Sequence, residues 1–171
     1  MSKILGYLGP RGTFTEEVSI KYAKDKDLLL KPFPALDKVF NAVARKEIEY
    51  GIVPVENSLE GSVNFTHDLL SNSDVKIQGE LLLRVRQLLL ARPGQKPSQI
   101  KEIYSHPQAL AQCRLFLDKN YPGRPRINIA STAEAAALVA QNYGKAAIAS
   151  IRAAELYGLE ILQDSIQNEP S

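Results

Sequence analysis

Neutral amides and hydroxyls are the groups in this sequence whose types and spacing could do chemistry. Tyr50 to Leu70 reads YGIVPVENSLEGSVNFTHDLL. A short apolar run, Gly51-Ile52-Val53-Pro54-Val55, gives way to Glu56-Asn57-Ser58 and then to Ser62, Asn64, Thr66, His67 and Asp68. A buried strand that spills into polar groups at its carboxyl end is where open α/β sheets place a ligand. The other reading of the same stretch is a capped helix after an ordinary strand. Three further clusters have a related form: Gly9-Pro10-Arg11-Gly12-Thr13, Ser105-His106-Pro107-Gln108 and Ser131-Thr132. Each stands where a short apolar run meets a helical pattern. Free backbone N–H groups at such a helix start suit a carboxylate or phosphate. The first cluster is not a P-loop, because the lysine and the glycine spacing are absent, and by itself it is also readable as a tight connection.

Composition excludes several classes. With 171 residues, 44% hydrophobic and 23% charged, the chain is one large domain or two small lobes with a real core. The net charge of +2 is scattered, with no basic stripe interleaved with aromatics, so no nucleic-acid partner is expected. No apolar run approaches the ~20 residues that span a bilayer, and MSKILGYLG lacks the form of a signal peptide, so no membrane partner is expected either. Cys113 is the single cysteine; no intrachain disulfide can form, and a cytoplasmic home is expected. With one Cys and two His, His67 and His106, no metal site of protein ligands is expected.

The elements that must position these groups follow from local patterns. Lys3 to Leu8 reads as a first strand, followed by a Thr13-x-x-Glu16 capping box and an apolar stripe of Phe14, Val18 and Tyr22. Leu28 to Leu30 reads as a strand, Pro32 and Pro34 as a loop, and Leu36, Val39, Phe40 and Val43 as one face of a helix. After the strand at 51–55, a helix is expected from Gly61 to Leu70, with Val63, Leu69 and Leu70 inward. On it Thr66 and Ser62 look to one cleft, and His67 lies on the surface. Val75 to Leu90 reads as a long extended segment crossing between two lobes, with Arg84 and Arg86 on the same side. Arg92-Pro93-Gly94 with Pro97-Ser98 is a surface loop. Ile100 to Tyr104 is a strand, and Pro107 suits the first position of the next helix, capped by Ser105 or His106. Leu110, Cys113, Phe116 and Leu117 share one face of that helix, which makes Cys113 a core side chain rather than a nucleophile. Strands are expected at 127–130, 146–149 and 159–162. The helices between them span 133–141, behind a Ser131-x-x-Glu134 box, and 151–157, closed by Gly158.

Alternating strand and helix units predict an α/β fold with a largely parallel sheet, or two. Three capped helix starts, at 4–22, 100–117 and 127–141, would together hold a small anion with more than one carboxylate.

GPRGTFTEE (9–17), VPVENSLEGSVNFTHDLL (53–70), SHPQALAQCRLFL (105–117), STAEAA (131–136) and AAIASIRAAELYGLEIL (146–162), in this order, resemble the catalytic domain of prephenate dehydratase. The resemblance implies a two-lobed α/β fold like type II periplasmic binding proteins, with the active site between the lobes. Lobe 1 would be 1–78, with 161–171 returning towards it, and lobe 2 would be 79–160. The implied reaction converts prephenate to phenylpyruvate, carbon dioxide and water in phenylalanine biosynthesis. Aromatisation drives it, so no metal and no cofactor is implied. The resemblance makes Asn57 and Gln108 the substrate-contacting residues that matter to turnover. Thr13, Ser58, Ser105, Ser131 and Thr132 become further hydrogen-bond donors, Phe14 and His106 further substrate contacts, and Thr66 a group lining lobe 1. A homodimer or higher homo-oligomer is implied as well.

The sequence departs from the family pattern in three places. The family's Thr-Arg-Phe motif, whose threonine is the expected proton donor to the leaving hydroxyl, does not occur in these 171 residues, which close on Asn168-Glu169-Pro170-Ser171. Arg86-Gln87 stands where relatives often have His-His, and Arg86 is read as solvated rather than paired with a carboxylate. The family's phenylalanine-binding regulatory domain is not among these residues, so no feedback by phenylalanine is expected. Two other readings are arogenate dehydratase, and a weak or inactive domain that binds an aromatic or dicarboxylate ligand.

Overall fold

The computed structural model describes residues 3–57 and 61–168, and the chain divides into two units. The first contains the residues up to Pro10 together with Phe14–Leu83; the second contains Arg11–Thr13 and the chain from Arg84 onward.

In the first unit, β1 (Lys3–Leu8) lies between β2 (Leu28–Phe33) and β3 (Tyr50–Ile52) in a parallel sheet of order β2-β1-β3. Leu5 and Tyr7 are buried. Gly6 between them is required by packing, since a Cβ there would meet Ile48 Cδ1 at 2.5 Å and Phe33 Cε2 at 2.8 Å. β2 runs on through Pro32, which the sequence reading gave to a loop. As an edge strand it needs no outer N–H there, so the proline is tolerated. α1 (Phe14–Ala23) also differs from expectation: its buried positions are Glu16 and Ser19, while Phe14, Val18 and Tyr22 are only half-buried. The Tyr7 hydroxyl donates to Glu16 Oε1 at 3.2 Å, which supplies the buried carboxyl with a partner. α2 (Leu36–Ala44) buries Val39, Phe40 and Ala42, as its periodicity predicts.

β3 stops at Ile52, short of the expected Val55. A two-strand hairpin, β4 (Glu56–Asn57) and β5 (Gly61–Ser62), follows, and α3 (Asn64–Ser71) starts three residues later than expected. Val63, Leu69 and Leu70 are half-buried, and Thr66 is the fully buried residue of α3. Residues 74–87 form no strand; the extended run read for 75–90 contracts to β6 (Leu88–Ala91).

The second unit is a five-stranded mixed sheet of order β10-β6-β9-β7-β8. Its strands are β7 (Glu102–Ser105), β8 (Arg126–Asn128), β9 (Lys145–Ala149) and β10 (Glu160–Gln163) besides β6. β7 is parallel to β8 and β9, while β6 is antiparallel to β9 and β10. Helices α6 (Thr132–Gln141) and α7 (Ile151–Tyr157) cover one face, packing with Leu88, Leu90, Ala147 and Ala149. Helices α4 (Pro107–Gln112) and α5 (Arg114–Asn120) supply Ala109, Leu110, Cys113 at their junction, and Leu117 to the other, with Leu89, Ala146 and Ile148. Alternate residues of β6 and β9 therefore feed opposite cores, which is why both strands read as unbroken apolar runs.

Three boundaries differ from the sequence reading. The division falls at Leu83/Arg84 rather than 78/79, and 161–168, expected to return towards the first lobe, belongs to the second unit. The single helix expected after Pro107 is two helices with a break at Cys113.

Candidate functional site

Each unit presents its own set of the expected site residues. In the first, Asn57 is half-buried on β4, paired with Gly61 across the hairpin. Phe14 opens α1, half-buried. Ser58 lies outside the described residues. Thr66 is 0% exposed, and its hydroxyl donates to Pro54 O at 2.8 Å. That bond ties α3 to the chain leaving β3.

In the second unit the turn 11–13 packs on α6 and α7. Gly12 has φ +87°, and a Cβ there would stand 3.3 Å from Ala133 Cβ and 3.5 Å from Ala153 Cα. Only glycine combines that backbone with that approach. Ser150, the N-cap of α7, accepts from Ala153 N–H at 3.1 Å and donates to Gly12 O at 2.8 Å, which fixes the turn carrying Thr13. Ser150 was not singled out by the sequence, because its N-cap position predicts only a local bond.

A hydroxyl has one proton to give, and this separates the serines. Ser105 is 0% exposed and donates its proton to Ile148 O at 2.6 Å. Ser131, half-buried, caps α6 by accepting from Glu134 N–H at 3.1 Å, so in this bond its proton is not used. Thr132, the first residue of α6, is half-buried beside it. Between the two readings of the α4 cap, His106 is the one observed: its Nδ1 accepts from Gln108 N–H at 3.4 Å. An accepting Nδ1 places the neutral ring's proton on Nε2. Gln108 itself is half-buried on the first turn of α4.

Two further amides, without a role in the sequence reading, pair at the end of α4. Gln112, one turn further along α4, accepts from Gln87 Nε2 at 3.0 Å. Gln87 is 4% exposed, and its Oε1 has no hydrogen-bond partner among the described residues. Their partnership joins residues 25 apart in the chain, which local patterns do not reveal. Arg86, read as solvated, pairs with Asp164 at 3.0 Å, although both side chains are nearly half exposed and such a pair contributes little. Cys113 is 0% exposed, and burial pushes its thiol up to about 12. It is a core group, in line with its face of the helix.

Among the described residues no group of three or more His, Cys, Asp or Glu could hold a metal ion. No helix among them is long and apolar enough to cross a membrane. What the two sets offer is neutral: amides, hydroxyls, and the amino ends of α1 and α6, each ten residues long. Such groups bind and orient anions and donate hydrogen bonds.

A family model described as prephenate dehydratase matches residues 5–171. The chain is 43% identical over 166 residues to a bifunctional chorismate mutase/prephenate dehydratase of Stutzerimonas stutzeri, a match covering 97% of this chain and 45% of that protein. It is 38% identical over 169 residues to arogenate dehydratase 1 of Petunia hybrida, covering 98% of this chain and 39% of that one. The crystal structure of prephenate dehydratase from Arthrobacter aurescens in complex with L-Phe aligns with a TM-score of 0.88 at 33% identity, over 98% of this chain and 56% of that one. A periplasmic substrate-binding protein of an ABC transporter from Coxiella burnetii aligns at 0.51 and 14% identity, over 99% of this chain and 80% of that one. This bears out the periplasmic-binding-protein-like α/β fold class. The chain spans about half the length of the curated relatives it matches.

Proposed function

Because this chain belongs to the prephenate dehydratase family, we propose that it catalyses the decarboxylative dehydration of prephenate. The observation that carries the reading is the family match over residues 5–171. Prephenate is a dianion. When its ring carboxylate leaves as CO2, the electron pair of the broken C–C bond flows into the ring and the ring hydroxyl departs. One proton taken up by that hydroxyl makes it water, and phenylpyruvate remains as a monoanion. The balance needs neither an oxidant nor a metal; the protein's task is to orient the ring, hold both carboxylates and assist the hydroxyl.

Asn57 and Gln108 are the amides assigned to the substrate. Thr13, Ser131 and Thr132, at the starts of α1 and α6, are assigned to carboxylates, supported by the free proton of Ser131 in its cap. Phe14 and His106 are assigned to flanking contacts, His106 through its Nε2–H, and Ser58 to a further donor. Thr66 and Ser105 act as framing groups, since their protons already go to Pro54 O and Ile148 O. A cytoplasmic location and assembly as a homodimer or higher homo-oligomer belong to the same reading.

The test is the appearance of phenylpyruvate from prephenate by ultraviolet absorbance, with this chain beside one extended through a Thr-Arg-Phe motif. Expected is turnover by both, the longer one faster by ~10²–10⁴-fold if the motif supplies a general acid. Asn57→Ala and Gln108→Ala should each lower turnover with the fold intact; unchanged rates sink these assignments. Tight binding of prephenate without product from either chain would make the domain a binder. The 38% identity to an arogenate dehydratase supports a second reading, decided by whether arogenate yields phenylalanine faster than prephenate yields phenylpyruvate.

A further inference from the structure

Residues 107–120 read PQALAQCRLFLDKN, with no glycine and no proline beyond Pro107. Nothing local stops a helix at Cys113, yet α4 ends at Gln112 and α5 begins at Arg114. In an uninterrupted α-helix each N–H donates four residues back, joining Leu115 N–H to Ala111 O and Phe116 N–H to Gln112 O. Here Leu115 N–H donates to Asn168 Oδ1 at 3.0 Å. Asn168 Nδ2 donates to Ala111 O at 3.4 Å, and Asn168 N–H donates to Gln112 O at 2.7 Å. One asparagine, donor and acceptor at once, thus occupies the groups on both sides of the break. A side chain inserted into the helical ladder is a recognised cause of sharp kinks.

The segment holding Asn168 is itself anchored. Ile166 is 4% exposed in the core beside Cys113 and Leu117, and its N–H donates to Gln87 O at 3.0 Å. Gln167 Oε1 accepts from Gln87 N–H at 3.1 Å. Through Gln87, which donates to Gln112 Oε1, the same segment grips the last turn of α4 a second time.

We propose that Asn168 is a positioning residue: a wedge that breaks the 107–120 helix and so sets the direction of α4, which carries the Gln108 and Gln112 amides. The functional half of this rests on the reading above, in which Gln108 meets the substrate. α4 has six residues, too few to hold a course of its own, so its two ends decide it. Without the Asn168 side chain, Leu115 N–H and Ala111 O pair with each other, and the ladder closes against the one remaining main-chain bond from Asn168 N–H to Gln112 O. α4 and α5 then become one rod, and both amides swing with it. Misplacement by about an ångström costs on the order of 10²-fold in rate.

The experiment compares Asn168→Ala and Asn168→Asp in the full chain, by backbone chemical shifts across the α4–α5 junction and by steady-state kinetics with prephenate. For Asn168→Ala the expected result is helical shifts running without interruption through Cys113. Its kcat should fall about 10- to 100-fold with KM changed less than about threefold, since the donors at α1 and α6 are untouched. Asn168→Asp keeps the acceptor for Leu115 N–H and puts its charge at the amino end of α5, where it is favoured. It should keep the break and hold kcat within about threefold. The proposal is overturned if the break persists in Asn168→Ala, if the helix joins while kcat stays, or if Asp fails as badly as Ala. Should Asn168→Ala not fold, Asn168→Gln, one methylene too long for the gap, replaces it with the same expected and overturning results. If the unmutated chain gives no phenylpyruvate, the functional reading falls and the positioning role with it. The shifts then decide the wedge alone: a joined helix supports it and a persisting break overturns it.

Discussion

Replacing Ser105 by alanine tests whether this residue works through the sheet or through a ligand. Main-chain pairing between β7 and β9 runs Glu102↔Lys145, Ile103↔Ala146 and Tyr104↔Ala147. Ser105 is the next rung, and its side chain supplies the bond, donating to Ile148 O at 2.6 Å in a fully buried position. Ser105→Ala deletes the donor and leaves the buried acceptor, a loss of about 2 kcal/mol within the usual 1–3. In a chain of this size 1 kcal/mol moves Tm by roughly 2–4 °C, so a fall of about 4–8 °C is expected. Scanning calorimetry measures it, and steady-state kinetics at 25 °C, below the transition, measures the rest. If the hydroxyl serves the ladder, kcat/KM with prephenate stays within about threefold. A Tm unchanged to within about 1 °C together with a tenfold loss of kcat/KM would refute this and return Ser105 to the substrate.

Ser150→Ala removes the cap of α7 and the donor to Gly12 O, and should cost about 2 kcal/mol, a cap and a buried bond of about 1 each, seen as a lower urea midpoint and faster exchange of the Ala153 amide. Thr66→Val keeps the shape but deletes the bond to Pro54 O; a loss of about 1–2 kcal/mol on urea unfolding is expected, and none would show that the bond is dispensable. Cys113 should resist alkylation at pH 8 until the chain unfolds, because its folded thiol is pushed up to about 12 from 9.0. With the folded value above the unfolded one, the neutral thiol's contribution is complete below about pH 9 and is lost as pH rises towards 12, so alkaline urea midpoints should decline over that window and decline less in Cys113→Ala.

Local chemistry was the legible part of this chain. Pro107 at the first turn, Ser131 ahead of Glu134, and Gly158 with φ 62° all signal helix ends within four residues of themselves, and each is found where it was read. The short strand read at 146–149 is likewise found, as most of β9. What escaped was set from a distance. Pro32 stays in a strand because β2 is an edge, a fact of sheet order rather than of sequence. The buried side of α1 carries Glu16 instead of Tyr22 because Tyr7, on another element, offers it a hydroxyl. The break at Cys113 comes from Asn168, and the long run 75–90 carried strand-forming residues with only its last part finding partners. Of the candidate site, the residue types were readable but not which protons were already committed, since Ile148 O and Pro54 O are acceptors no motif names.

The membership of Gly12 in the second unit has a consequence for how the chain comes off the ribosome. Its acceptor oxygen emerges early, but the serine that donates to it lies 138 residues further on. At roughly 5–20 residues per second the turn waits some 7–30 s for that partner. Closing so long a loop adds little equilibrium cost, since the entropy grows only logarithmically, but it slows the step that completes the unit. Nor can the second unit be obtained as one contiguous fragment beginning at Arg84, because that piece lacks the glycine that packs against Ala133 and Ala153. A faithful excision needs residues 11–13 spliced back in, and a peptide bearing them should bind and stabilise the fragment that lacks them.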